Sequence, residues 1–218
     1  MTDVDEITTP IDGRVARRQR NIEAVLDVVL EMFAEDAMFP SMEQAAKRSG
    51  LSLRSLYRYF ADPGELREAA IARNDEVARS LSKLHAIGEG SLDRRIDDFV
   101  GMRVRLYRAN AAVFRATVAN AARHRQVNET RARNRALMRE QFELQFAPEL
   151  GEMDAQRRRR VIAAGDLLTQ LDSLEFLREY RGLSEAETRK TLASSLQAIL
   201  SVESPGVSSS AGCFTASW

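Results

Sequence analysis

Along most of the chain, apolar residues return every three or four positions with charged residues between them. That is the period of helices with one buried face. No stretch alternates strictly, and none gathers the β-branched residues of a strand, so the pattern predicts an all-α fold. The first helix is expected from Arg17 to Glu35, with Ile22, Val25, Leu26, Val29 and Phe33 on one face. Ser41 with Gln44 three residues on forms a capping box for a short second helix that stops at Gly50. Ser52 caps a third. Asp62, Pro63 and Glu65 repeat the start signal for a fourth, read as reaching His85. The polar, glycine-bearing segment Ile87 to Ser91 then marks a break. Beyond it the spacing predicts helices from Leu92 to Ala109, Val113 to Arg123 and Asn128 to Phe146, the last stopped by Pro148, then two long ones, Ala155 to Tyr180 and Ser184 to Leu200. About nine helices result: a helix-turn-helix head on a larger C-terminal helical bundle. The expected divisions are an N-terminal arm (1–16), a head (17–86), a body for ligand binding and dimerisation (87–202) and a serine- and glycine-rich tail (203–218) read as disordered.

Composition narrows the function classes. Acids and bases balance at 32 each, which on its face speaks against a nucleic-acid binder. Distribution changes that picture. Arg14, Arg17, Arg18 and Arg20 sit close together, and Lys47, Arg48, Arg54 and Arg58 lie in a stretch from Gln44 to Ala61 without one acid. A local positive stripe attracts phosphate at one face only. The single cysteine, Cys213, has no partner for an internal disulfide. No stretch reaches the roughly 18 apolar residues of a membrane span, and a cytoplasmic protein is expected. Two histidines, His85 and His124, no metal-spaced His or Cys cluster, no phosphate-cradling glycine loop and no nucleophile motif leave little basis for an enzyme, and no metal or cofactor is expected.

The informative stretch is Ser41 to Phe60, SMEQAAKRSGLSLRSLYRYF. Two short helices that cross closely need a small residue at the crossing, a turn that tolerates glycine and an apolar stripe on the second helix. Ala46, Gly50, Leu51 and Leu56 meet those needs. The outward face of the second helix then offers Ser52, Arg54, Ser55, Arg58 and Tyr59, side chains suited to base edges and phosphates in a major groove. As an alternative, the basic stripe is an ordinary solvated face, and the tyrosines are partly core.

Leu56-Tyr57-Arg58-Tyr59-Phe60, followed by Asp62 and Glu65-Leu66, resembles the N-terminal signature of the tetracycline-repressor (TetR) family, clearly from Ile22 to about Ala70. Phe146-Ala147-Pro148-Glu149-Leu150 and the paired terminal helices around Arg181-Gly182-Leu183-Ser184 resemble some members more weakly. The resemblance implies phosphate contacts by Tyr57 and Tyr59, a recognition helix starting at Ser52, a dimer, and a body with an inducer pocket. Two positions depart from the pattern: Pro63 stands where a lysine is common, and Ala45 where a larger aliphatic is common. Arg17, Arg18 and the backbone amides after Ser41 are the candidates to supply the missing phosphate contact.

Within the body, Phe99, Met102, Leu106, Phe114, Val118, Met138, Phe142, Leu167 and Leu171 are candidates to line a pocket, each equally readable as plain core. Leu168, Leu174, Leu192, Leu196 and Ile199 form stripes wide enough to suggest a four-helix dimer interface. Arg123, Arg125, Arg131, Arg133 and Arg135 are solvated, or else bind an acidic ligand. Arg157 to Arg160 spread around a helix circumference and do not form one face. The expected function is a dimeric, sequence-specific transcription regulator acting on double-stranded operator DNA, a repressor released by a small-molecule inducer. The alternative is a constitutive or architectural DNA-binding dimer without a ligand, and a purely protein-binding adaptor stands behind both.

Overall fold

A computed structural model describes residues 13–120 and 125–201; the tail beyond Ser201, with Cys213, and His124 and Arg123 lie outside the described residues. The chain order is α1 (Gly13–Asp36), α2 (Met42–Ser49), α3 (Leu53–Tyr59), α4 (Pro63–Leu81), α5 (Leu92–Asn120), α6 (Arg125–Gln145), α7 (Ala147–Glu152), α8 (Ala155–Thr169), α9 (Leu171–Glu175) and α10 (Glu185–Leu200), with a π-helical turn, Phe176–Tyr180, after α9. No strand occurs among the described residues. The all-α expectation holds.

The local start and stop signals work as their chemistry requires. Ser41 accepts from the Gln44 amide while the Gln44 side chain accepts from the Ser41 amide, and Gly50 closes α2 at φ 71°, a left-handed conformation that costs other L-residues roughly 1 kcal/mol or more. Ser52 caps α3, Asp62 caps α4 with Pro63 in its first turn, and Ser184 with Glu187 forms a second capping box for α10.

Several boundaries differ from the sequence expectation. Helix α1 begins at Gly13, so residues 13–16 of the expected arm are helical, and α6 begins at Arg125 and not Asn128. The fourth helix ends at Leu81, so His85 lies in the loop after it. The two helices expected between Leu92 and Arg123 are one, α5, because nothing between Ala109 and Val113 breaks a helix; the buried Asn110 amide donates back to the Leu106 carbonyl at 3.0 Å instead of competing for a turn. Pro148 does not merely stop α6. It also sits in the first turn of α7, where a missing N–H costs nothing. The long helix expected from Ala155 to Tyr180 breaks at Gln170, whose ψ of 153° is extended, before α9 resumes and loosens into the π turn.

Buried apolar residues fall in two groups. In the head, Val25, Leu26 and Val29 of α1 meet Met42, Ala45 and Ala46 of α2, Leu56 and Phe60 around α3, and Leu66 and Ala70 of α4. In the body, Phe99 of α5 packs edge-on to Phe146, with centroids 5.3 Å apart, and Phe142 tilts against Phe146 at 5.0 Å. Leu174, Leu192, Leu196 and Leu200 complete that core. Helices α6 and α8 cross so closely that a Cβ added at Gly165 would lie 2.0 Å from Phe142 Cζ. Helix α5 also packs on α1 and α4, joining body to head.

Candidate nucleic-acid interface and the cavity at the head–body joint

Three polar contacts brace the head beyond its core. Arg48 of α2 donates through two nitrogens to the Glu35 carboxylate of α1, at 2.7 and 3.1 Å; Arg73 of α4 donates to Asp27 of α1 at 3.2 Å; and Asn21 of α1 donates to the Tyr59 hydroxyl of α3 at 3.5 Å. Arg48, part of the basic stripe in sequence, is therefore engaged with an acid, and its guanidinium is held further into the charged state by that carboxylate.

Helix α3 carries no acid, and its side chains divide cleanly. Leu56 is fully buried, whereas Arg54, Tyr57 and Arg58 are exposed. Ser52 and Ser55 hydroxyls bond each other at 2.9 Å at the start of the helix. Tyr59 is half-buried between Arg18 and Arg58, whose guanidinium carbons stand 5.7 and 5.3 Å from its ring centre. Its oxygen accepts from Asn21 and, at 3.4 Å, from Arg58, and these donors lower its pKa. A phenol that accepts two N–H groups keeps its own proton to donate, which suits it to a phosphate oxygen between two cations. Arg17 and Arg18 are exposed on α1, so Arg18, Tyr59 and Arg58 form a continuous basic and hydrogen-bonding edge across α1 and α3. The amides after Ser41 are less open than the sequence suggested. Glu43 accepts there from the Ser41 hydroxyl at 2.8 Å, and a carboxylate already neutralises that helix start.

A cavity of ≈ 480 Å³ opens where head meets body. Its walls come from both: Leu30, Phe33 and Phe39 from α1 and the loop after it, Ile71, Asn74, Asp75, Ala78 and Arg79 from α4, and Leu106, Asn110, Val113 and Phe114 from α5. Lys83 after α4, Thr130, Arg131, Asn134, Arg135, Leu137, Met138 and Gln141 from α6, and Gln170, Leu171 and Asp172 also line it. Of the residues singled out for a pocket, Leu106, Phe114, Met138 and Leu171 line it. Phe99, Met102 and Phe142 sit instead in the body core, and Val118 and Leu167 face solvent on other sides. The head-side wall had no signal in the sequence, because its members read as ordinary positions of α1 and α4.

Two hydrogen bonds across this cavity tie α6 to α4. Asn134 donates to Asp75 at 3.2 Å, and Gln141 donates to the Ser82 carbonyl at the end of α4 at 2.8 Å. Gln141 in turn accepts from Arg103 at 2.7 Å. Arg103 is fully buried on α5, lies over the Phe99 ring at 4.6 Å and donates to the Met138 carbonyl at 2.7 Å. Among the described residues no carboxylate bonds it, and burial pushes its guanidinium down to about 9, with the charge of Asp166 acting the other way.

The stripes read as a dimer interface need correction. Leu174, Leu192 and Leu196 belong to the chain's own core, because α5 packs on α9 and on the apolar face of α10. Leu168 and Ile199 are half-buried at its edge, while Leu167 on α8 is 69% exposed and Phe176 and Tyr180 stack in the open on the π turn. Arg157 and Arg158 donate to backbone carbonyls of Ser201, Leu150 and Met153, and Arg159 and Arg160 are solvated. Among the described residues no group of three or more His, Cys, Asp or Glu is placed to hold a metal ion, and no helix is long and apolar enough to cross a membrane.

Comparison with known proteins adds independent support. No family model matches the chain. It is 31% identical over 105 residues to the HTH-type transcriptional regulator BetI of Escherichia coli, a match covering 47% of this chain. The chain spans about half the length of the curated relatives it matches, 52% for this one. Among solved structures, it superposes on a protein from Rhodococcus sp. described as a TetR-family regulator with a TM-score of 0.65, at 16% identity, covering 84% of this chain and all of that one. A TetR-family regulator from Streptomyces coelicolor gives 0.63 at 20% identity, over 83% of this chain and 80% of that one. At those identities the structures speak to the fold alone. The chain thus shares the fold of these TetR-family structures and a stretch of sequence similarity with BetI.

Proposed function

We propose that this chain is a dimeric, sequence-specific DNA-binding transcription regulator, a repressor whose release from its operator is driven by a small molecule in the joint cavity. The observation that carries the DNA-binding half is α3 itself: a seven-residue helix with Leu56 buried and an acid-free outer face, braced by Tyr59 against α1. Arg54 and Ser55 are assigned to base edges, and Arg17, Arg18, Tyr57, Arg58 and Tyr59 to phosphates, with Ser41 and Ser52 acting mainly as caps that set the approach of α2 and α3. Seven residues read only a few base pairs, so a two-fold partner is needed to read a divided site. The exposed Leu167, with Leu168 and Ile199 at its side, is the part of α8 and α10 offered to that partner.

Release follows from where the cavity lies. A ligand between α4 and α6 competes for Asn134 and Gln141, two side chains that tie α4 to α6, and α4 is part of the head. To shift the head, it must bind the released arrangement more tightly than the held one. The reading brings a cytoplasmic location with it, beside the DNA.

The test is an unbiased selection of duplex DNA on the purified chain at two salt concentrations. A two-fold-symmetric site is the expected result; unspecific, salt-sensitive binding alone supports an architectural binder, and no binding supports an adaptor. A response to ligand is then read as loss of the selected duplex in fluorescence anisotropy.

A further inference from the structure

The arginine-rich start of α6 has no part in the DNA face. One helical turn apart, Arg131 and Arg135 both line the cavity, and a single carboxylate serves both: Asp172 at the start of α9 accepts from Arg131 at 2.9 Å and from Arg135 at 2.7 Å. The Arg131 Nε–H is buried with no acceptor, and buried donors are nearly always paired in folded proteins. On the α4 side, Arg79 and Lys83 also line the cavity and make no ion pair among the described residues. The wall thus carries four bases against two acids. Both acids are engaged, Asp172 by the two arginines and Asp75 by Asn134. The rest is largely hydrocarbon, from residues such as Leu106, Val113, Phe114 and Leu137.

We propose that the cavity takes an amphipathic organic anion, its carboxylate set on Arg131 and Arg135 and its apolar part lying against α5 and α6. A planar guanidinium with an unpaired N–H pairs with a carboxylate in parallel bonds, more strongly where water is excluded, and the buried Arg131 edge turns toward the cavity as the ligand enters. The volume lies within the range of about 300–1,000 Å³ in which drug-sized ligands are held. A cationic ligand would face the unpaired bases, and a neutral one without an acceptor would leave the Arg131 donor unmet. The proposal rests on the ligand-responsive reading above, with the anion's site and its effect on DNA separable by experiment.

The experiment is calorimetric titration of the full chain with decanoate and with 4-phenylbutanoate, each compared with its primary amide and with the trimethylammonium compound of the same skeleton, below any micelle concentration. The carboxylates are expected to bind at least tenfold more tightly than the amides, and the ammonium compounds weakest. Arg131→Gln should abolish that preference while changing amide affinity by less than twofold. Asp172→Asn, which frees both guanidiniums, should tighten carboxylate binding, and helical circular dichroism checks that each variant is folded. Equal binding of amide and carboxylate, tighter binding of the ammonium compound, or no binding of either carboxylate overturns the proposal. If the carboxylate preference is found but the selected duplex stays bound, the anion site stands and the release reading falls.

Discussion

At single positions, the DNA face separates into groups that read and groups that hold. Arg54 is exposed on α3 with no acid to pair with on that helix, whereas Tyr57 is 47% exposed and has one hydroxyl to give. Arg54→Ala should therefore cost about 1–3 kcal/mol on the preferred site and flatten preference at the positions it reads. Tyr57→Phe should weaken all duplexes by a similar factor, as loss of a phosphate contact does. Competition binding against a panel of single-base variants of the selected site distinguishes them, and equal losses on every sequence from both would overturn the division of roles. Asp172 gives a pH prediction. Its burial acts to raise its pKa, but Arg135 and Arg131 outweigh this and hold it below the ordinary aspartate value. The folded state thus takes up the proton less readily than the unfolded one, so the contribution to stability is present above about pH 4 and is lost as pH falls through the lower folded value. Asp172→Asn should be less stable than the parent at neutral pH, and the gap should close in acid; urea midpoints across that range measure it.

Elements were legible in the sequence wherever a cap or a breaker was local. Ser41 with Gln44, Gly50, Ser52, Asp62 with Pro63 and Ser184 each act within four residues, and each sits where it was expected. The length of α5 failed for a local reason, since Asn110 is satisfied four residues back inside its own helix and does not end it. Part of what failed depended instead on partners distant in sequence, as the break at Gln170 does: its side chain donates to Asp166 and, at 3.4 Å, to the Arg135 carbonyl of α6, so it is tied to another helix. The candidate pocket suffered in the same way. Helical period marked Phe99 and Phe142 as apolar and inward, and they are, but period alone does not say whether a neighbour or a void lies opposite. Gly165 shows how close the occupied side is. Gly165→Ala would force its methyl group into Phe142, and the backbone of α8 would have to move; a loss of about 1–3 kcal/mol, larger than the helix-propensity gain of about 1 kcal/mol, is expected in thermal or urea unfolding. An unchanged or raised midpoint would mean that α6 and α8 are less tightly packed than this.

For the whole molecule, zero net charge and DNA binding are compatible because charge is sorted by place. Acids on the head are turned to bracing, as Glu35 and Asp27 are, while Arg17, Arg18, Arg54 and Arg58 stay on the exposed edge. Such an interface releases counterions in proportion to the phosphates it covers, with a slope of about −0.9 in log affinity against log salt for each. In a dimer every substitution occurs twice. Arg17→Ala should therefore make the slope shallower by about 1.8 if both heads contact DNA, and by about 0.9 if only one does. Leu167→Glu places a charge on the exposed part of α8 and should shift the chain toward monomer in analytical ultracentrifugation, since an unpaired charge at the centre of an apolar contact is costly to desolvate. Combining the two gives the discriminating result. In the Leu167→Glu background the effect of Arg17→Ala should halve, because one head then binds alone. An effect of full size on a protein shown to be monomeric would place two phosphate contacts on each Arg17, and a chain that stays dimeric would move the interface away from α8.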